Sequence, residues 1–287
     1  MPIKRIIQIA LIVLSALSAV IVIPVLFSSY MINEAKSAET GATKEVQQNL
    51  RHLPNEAYGF GEKFEYDVQY GFIKAGEGTM QIMQKPVKIR GRDCYDVRFE
   101  ARSLKSLEFL YKVINSYRSI VDVSGIFPWM FEQSIRENKY KYDFQARFDQ
   151  FNQIAYVDKK QYSVPEYVHD VISAFYYVRT LDLGSMKTGS VINLRNFWKD
   201  STFTLGVRIH NKAVVKVPAG TFKCVVVEPV DMQGGLFRNI GSIMIYLTDD
   251  ERKMPVKVAT KILIGEVTAE LVRFRGLRGP LNSRVEK

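Results

Sequence analysis

Pro165-Glu-Tyr-Val-His-Asp-Val-Ile-Ser-Ala-Phe-Tyr-Tyr-Val-Arg179 reads differently from everything around it. Most of the chain beyond the N-terminus alternates apolar and polar residues with a period of two, as half-buried strands do. Here Val168, Val171, Ile172, Phe175 and Val178 recur at helical spacing and form one apolar stripe. Ser163 or Asp170 can cap the start, Pro165 suits a first helical turn, and Gly184 and Gly189 supply turn chemistry beyond the end. The spacing predicts a single helix over about residues 165–180. One helix among many strands has only a sheet on which to bury its stripe. The expected class is mainly β, a curved antiparallel sheet wrapping one α-helix.

Outward from this helix, Phe64, Tyr66, Val68 and Tyr70 alternate with Glu65, Asp67 and Gln69 as a clean half-buried strand. Gly71, Ala75 and Gly76 form a turn, and Gly78–Met83 returns as its hairpin partner. Further strand-like runs at Cys94–Ala101, Phe109–Val123, Tyr140–Phe144 and Ile154–Val157 suggest a meander. After the helix come Ser190–Trp198, Thr202–His210, Lys212–Val217, Thr221–Glu228, Gly241–Thr248, Met254–Ile264 and Glu266–Phe274, with a loop at Gly234-Gly235. The Thr221–Glu228 run is more continuously apolar, which predicts a central strand. No composition break divides this region, so residues 59–276 read as one β-rich domain, with a polar spacer over 31–58 and a short basic tail at 277–287.

The N-terminus sets the expected compartment. Lys4 and Arg5 precede an almost unbroken apolar run over residues 6–27, long enough to cross a bilayer as a hydrophobic helix. The basic start keeps the N-terminus inside, so the rest of the chain is expected to be exported to the periplasm. Ala35-Lys36-Ser37 before Ala38 offers a cleavage site, so residues 1–30 read either as a signal peptide or as an anchor in the inner membrane. The net charge of +10 is spread along the strands with no dense Lys/Arg run, and nucleic acid is not an expected partner. Cys94 and Cys224 either form a disulfide in an oxidising compartment or stay as buried free thiols.

Four blocks in order carry a family resemblance: Gly61-Glu-Lys-Phe-Glu-Tyr-Asp-Val with Lys74-Ala-Gly-Glu-Gly-Thr, then Asp170-Val-Ile-Ser-Ala-Phe-Tyr-Tyr-Val-Arg179, Val217-Pro-Ala-Gly-Thr-Phe-Lys-Cys, and Asp249-Asp-Glu-Arg-Lys-Met-Pro-Val. Together they resemble the DUF3108 family of exported bacterial proteins. The resemblance implies a spiralled or half-open antiparallel β-barrel around a helix, a shape similar to periplasmic lipoprotein and lipid carriers. It implies no activity and supplies no catalytic residues.

The residues themselves point to no reaction. Lys187-Thr-Gly189 matches one element of penicillin-binding enzymes, but no Ser-x-x-Lys or Ser-Asp-Asn accompanies it, and it reads as a turn. His52, His169 and His210 are far apart, so neither a triad nor a zinc set follows from spacing. Asp249, Asp250 and Glu251 lack the spacing of a calcium loop and read as a charged hairpin turn. No metal or cofactor is expected, and no catalytic residue. The candidate ligand-facing residues are Tyr176, Tyr177 and Arg179, which lie off the apolar stripe and suit an amphiphile with an anionic head. Their alternative role is packing, with Arg179 paired to a strand carboxylate. The expected function is non-catalytic binding of a lipid, lipoprotein or other amphiphile in the cell envelope. The alternatives are a periplasmic structural or interaction protein with a filled barrel, and an enzyme acting on cell-wall polymers.

Overall fold

The alternation at the start of the body becomes strand β1 (Lys63–Tyr70), which buries Phe64, Tyr66 and Val68 and turns Glu65 and Asp67 outward. The computed structural model describes residues 50–231, 242–261 and 265–285. The expected N-terminal hydrophobic helix, the spacer up to residue 49 and the Gly234-Gly235 loop lie outside the described residues.

Before the helix come β2 (Ile73–Ile82), β3 (Val87–Ile89), β4 (Arg92–Ser103), β5 (Ile114–Asp122), β6 (Pro128–Glu137), β7 (Tyr140–Asp149), β8 (Ile154–Val157) and β9 (Lys160–Ser163). After helix α1 (Val171–Arg179) come β10 (Val191–Trp198), β11 (Ser201–Ile209), β12 (Ala213–Val217), β13 (Gly220–Asp231), β14 (Ile243–Thr248), β15 (Pro255–Lys261) and β16 (Glu266–Arg275). They form one antiparallel sheet in the order β10-β11-β13-β14-β15-β16-β1-β2-β4-β5-β6-β7-β8-β9, with β12 on β13 and β3 on β4. The run from β4 to β9 is the expected meander. The continuously apolar run becomes β13, which takes β11, β12 and β14 as partners.

This curved sheet does not close by strand pairing, since β9 and β10 are its two edges. The chain leading into the helix partly bridges the gap: His169 lies parallel to Asn196 on β10. Its N–H donates to the Arg195 carbonyl at 2.8 Å, and its carbonyl accepts from the Phe197 N–H at 2.8 Å. Phe197 also stacks its ring near Tyr162 and Phe148, at 5.7 and 5.9 Å between centroids. The β10 edge is thereby covered rather than left as a pairing template.

Five expectations need correction. Ala75 and Gly76 are not in the turn after β1 but inside β2, because pairing resumes at Ile73 opposite Tyr70 and leaves only Gly71 and Phe72 as the turn. The helix begins at Val171, not near Pro165, because the His169 backbone is committed to β10 and only Asp170 is free to cap. Phe109–Val123 is a strand only from Ile114 onward; Lys105–Leu107 is a short 3-10 turn and Phe109 is exposed in the loop. Residues 50–58 are not loose spacer: the Leu53 N–H donates to the Ser124 carbonyl, and Tyr58 is fully buried. Part of the basic tail is also docked, with Arg284 opposite Phe222 and Ser283 buried.

Candidate functional site

The helix is fixed at both ends by polar chemistry and left apolar between them. At its start, the Asp170 carboxylate accepts from the Ile172 and Ser173 N–H groups at 2.7 and 2.9 Å. Ser173 Oγ accepts from the Asp170 N–H at 3.0 Å, a reciprocal capping box. Ser119 Oγ on β5 donates to the other carboxylate oxygen at 2.6 Å, tying the cap to the sheet. Burial pushes the Asp170 carboxyl up to about 6, against these hydrogen bonds.

Beside the cap, His169 is buried with Nε2 3.5 Å from the Arg51 guanidinium and Nδ1 3.2 Å from Ser173 Oγ. A guanidinium can only donate, so Nε2 is the bare nitrogen and Nδ1 carries the proton. Burial, with Arg51 beside it, lowers the imidazole to about 3. Arg51 also donates to the Gly125 and Ile126 carbonyls and lies over the rings of Tyr167 and Tyr177. These groups clamp the incoming chain onto the helix entrance.

At the other end, Arg179 Nη1 and Nη2 donate to the two oxygens of Glu62 at 2.7 and 2.8 Å. Its remaining hydrogen bonds go to the Lys253 and Arg252 carbonyls, each at 3.1 Å. Tyr58, Phe64 and Tyr176 surround the guanidinium with their rings 5.0, 5.5 and 5.0 Å away. Burial opposes the charge on Arg179, yet Glu62 outweighs it and holds the guanidinium above its ordinary value.

The predicted ligand-facing residues therefore divide. Arg179 and Tyr176 are buried in this ion-pair cluster, and neither lines an open space. Tyr177 is half-buried, with its ring 5.1 Å from that of His169. The expectation of a second, ligand-facing face is corrected for Tyr176 and Arg179: Glu62 satisfies the charge that was assigned to a ligand. Cys94 and Cys224 are free, buried thiols on β4 and β13, with five strands between them in the sheet order. Burial pushes both thiols up to about 12.

The face that does meet a cavity is the apolar stripe. Val171, Ile172, Ala174, Phe175 and Val178 floor a space of about 110 Å³ between helix and sheet. Met80, Phe99, Leu205, Val207, Ile245 and Val258 are among its walls. The register explains the grouping: Met80 opposes Phe99, and Val258 stands between Ile245 and Ala269, so their side chains share the inner face. Tyr66 brings the one polar side chain, and its hydroxyl donates to the Pro255 carbonyl at 2.9 Å. The lining thus offers dispersion and apolar burial, with no nucleophile and no acid–base pair. Phe175, expected in the core, packs against it but is only half-buried, as are Leu205 and Pro229 near the end of β13 remote from Arg179.

A larger, open groove of about 840 Å³ runs along β4–β7 near the β10–β11 turn. Some of its charged lining groups are paired: Arg118 binds Asp96 and Glu132, and Asp143 binds Arg136. Among the described residues, no group of three metal-ligating side chains converges.

Compared with known proteins, the chain matches the family model "Protein of unknown function (DUF3108)" over residues 65–272. No curated protein matches it. Among solved structures, it is similar to a β-barrel-like DUF1849 protein from Brucella abortus, with TM-score 0.48 and 10% identity over 76% of this chain and 98% of that one. It is also similar to a protein described as a lipoprotein from Parabacteroides distasonis, with TM-score 0.33 and 9% identity over 79% of this chain and 100% of that one.

Proposed function

The chain belongs to the DUF3108 family, and from the cavity on its helix we propose that it is a non-catalytic binding protein of the cell envelope that seats the apolar end of an amphiphile. The carrying observation is the segregation on α1: its one charged side chain, Arg179, is turned into a buried pair with Glu62, while the stripe facing the cavity is apolar throughout. Residues 6–27 support export of the body, with the segment acting as a cleaved signal or as an inner-membrane anchor.

Size limits the ligand. A space of about 110 Å³ is smaller than the ~150 Å³ apolar cavity that holds a benzene, so it takes the last few carbons of a chain. At ~0.8 kcal/mol per buried methylene, four carbons supply ~3 kcal/mol, which alone is weaker than millimolar affinity. Such a seat suits transient capture of a lipid or lipoprotein acyl chain. The same small volume favours a second reading, in which the barrel is a filled scaffold that docks a partner protein.

Native mass spectrometry of the full chain, extracted in mild detergent, separates the two. Seating predicts a bound amphiphile in the wild type that is reduced in Ala174→Phe, which fills the floor. An unliganded spectrum, with no uptake from added lipid, supports the scaffold instead.

A further inference from the structure

The sheet has two unlike ends. The helix, the Arg179–Glu62 pair and the docked terminal segments occupy one. The other carries the β1–β2 hairpin turn, the loop joining β4 to β5, and the β6–β7, β8–β9 and β10–β11 turns. Of the six exposed large apolar side chains among the described residues, five lie at this second end: Phe72, Ile73, Phe109, Ile114 and Tyr140. Phe72 is 95% exposed at the hairpin tip and Phe109 is 82% exposed in the neighbouring loop. The two tips are adjacent, because the Leu104 N–H donates to the Ala75 carbonyl and Gly76 pairs with Ser103. Only Val214 is exposed at the opposite end. Scattered exposed apolar residues need no explanation, but their concentration on neighbouring loop tips does.

The same end is basic. Lys105, Lys139, Lys141, Lys159 and Lys160 are exposed there and form no ion pair among the described residues. Lys74, Arg102 and Lys112 also stand there but are paired with Glu77 and Glu108. The other carboxylates described at this end are Asp158, Asp200, Glu266 and the buried Glu137, so the cations remain in excess. Aromatic and branched side chains at loop tips, ringed by lysines, match the depth profile of a bilayer interface: the rings enter the acyl boundary and the ammonium groups meet anionic headgroups.

We propose that this end is a membrane-docking surface, with Phe72 and Phe109 inserting into the interface of a bilayer that carries anionic lipid. The surface does not depend on the cavity being filled.

Site-specific labelling tests the proposal, because both native thiols are buried and leave an introduced cysteine as the reactive one. The full chain carries Phe72→Cys, Phe109→Cys or, at the opposite end, Val214→Cys, each labelled with an environment-sensitive dye. Each protein is reconstituted into phosphatidylcholine vesicles with or without phosphatidylglycerol, together with a lipid-borne nitroxide quencher. With anionic lipid, the dyes at 72 and 109 should be quenched at least ~3-fold more than the dye at 214, and added salt or Lys105→Glu with Lys139→Glu and Lys159→Glu should narrow the difference. Equal quenching at both ends, or the same result without anionic lipid, overturns the proposal. So does a dye shift at 109 that follows protein density and not lipid, which marks the tips as a contact between copies of the chain. Failure of vesicle docking leaves the amphiphile seat to be judged by its own mass-spectrometric test.

Discussion

Arg179 and Glu62 form a bidentate ion pair with both side chains fully buried, although 117 positions separate them in the chain. The pair pins the last turn of the helix to the residue that precedes β1. It also turns the charged end of the helix away from the cavity. Breaking a buried pair on one side leaves the other charge stranded, so Glu62→Gln or Arg179→Met should each cost ~3–5 kcal/mol. Replacing both, as Glu62→Leu with Arg179→Met, should recover most of that loss. Urea denaturation of the three variants measures it; equal, additive losses would mean the residues do not act as a pair.

The helix entrance makes a signed prediction about pH. His169 titrates at about 3 in the folded state against an ordinary 6.5, because burial and Arg51 disfavour its charged form. Between those values the unfolded chain binds the additional proton. The stability this group contributes is complete above 6.5 and is lost as pH falls through 3, by ~5 kcal/mol in all. Asp170 runs the other way. Its folded value of about 6 exceeds the ordinary 3.8, so its contribution grows by ~3 kcal/mol as pH falls from 6 toward 4. His169→Gln should therefore flatten the acid loss of stability, and Asp170→Asn should steepen it. Chemical denaturation at pH 7, 5 and 4 reads both slopes, and parallel slopes in all three proteins would refute this account.

Phe175 is half-buried on the cavity floor, packed against the edge of the core and not sealed inside it. Truncation to Ala should cost only ~1–2 kcal/mol, below the ~3–5 of a fully buried phenylalanine. Ile172, buried on the same turn, should cost ~2–5 as Ala. Thermal denaturation of the two variants orders them, and the reverse order would place Phe175 in the core.

The two thiols should be inert in the native protein, since both are buried and pushed up to about 12. A thiol reagent should titrate two equivalents after denaturation without reductant, and close to none before it. Fewer than two after denaturation would mean that an oxidised form exists.

Much of this fold was legible from alternation, because period-two patterns report which side of a strand is buried. Phe64, Tyr66 and Val68 turned inward as read, and the continuous Thr221–Glu228 run became the strand with three partners. The helix was legible from its stripe, and Asp170 as one of two cap candidates, of which the structure takes it and not Ser163. What failed needed information from far along the chain. Pro165 is a sound local start signal, but the His169 backbone was taken by β10. Spacing gives the angle of Tyr176 and Arg179 around the helix, and nothing near them announces Glu62. A charged residue off an apolar stripe looks solvent-facing or ligand-facing until its distant partner is known. Phe109 was hidden because the strand-like run it heads becomes a strand only from Ile114, and Phe72 because the turn read over residues 71–76 tightens to its first residues once Ala75 and Gly76 join β2.

The most direct test of the amphiphile seat is a displacement titration with a single-chain fluorescent fatty acid, comparing the wild type with Ala174→Phe and with Val214→Ser. Ala174 is buried on the cavity floor, whereas Val214 is exposed at the far side of the molecule. Filling the floor should weaken binding by at least ~10-fold, as the loss of about two buried methylenes implies, and Val214→Ser should leave it unchanged. Equal affinity in all three folded proteins would contradict the seat and leave the barrel as a scaffold.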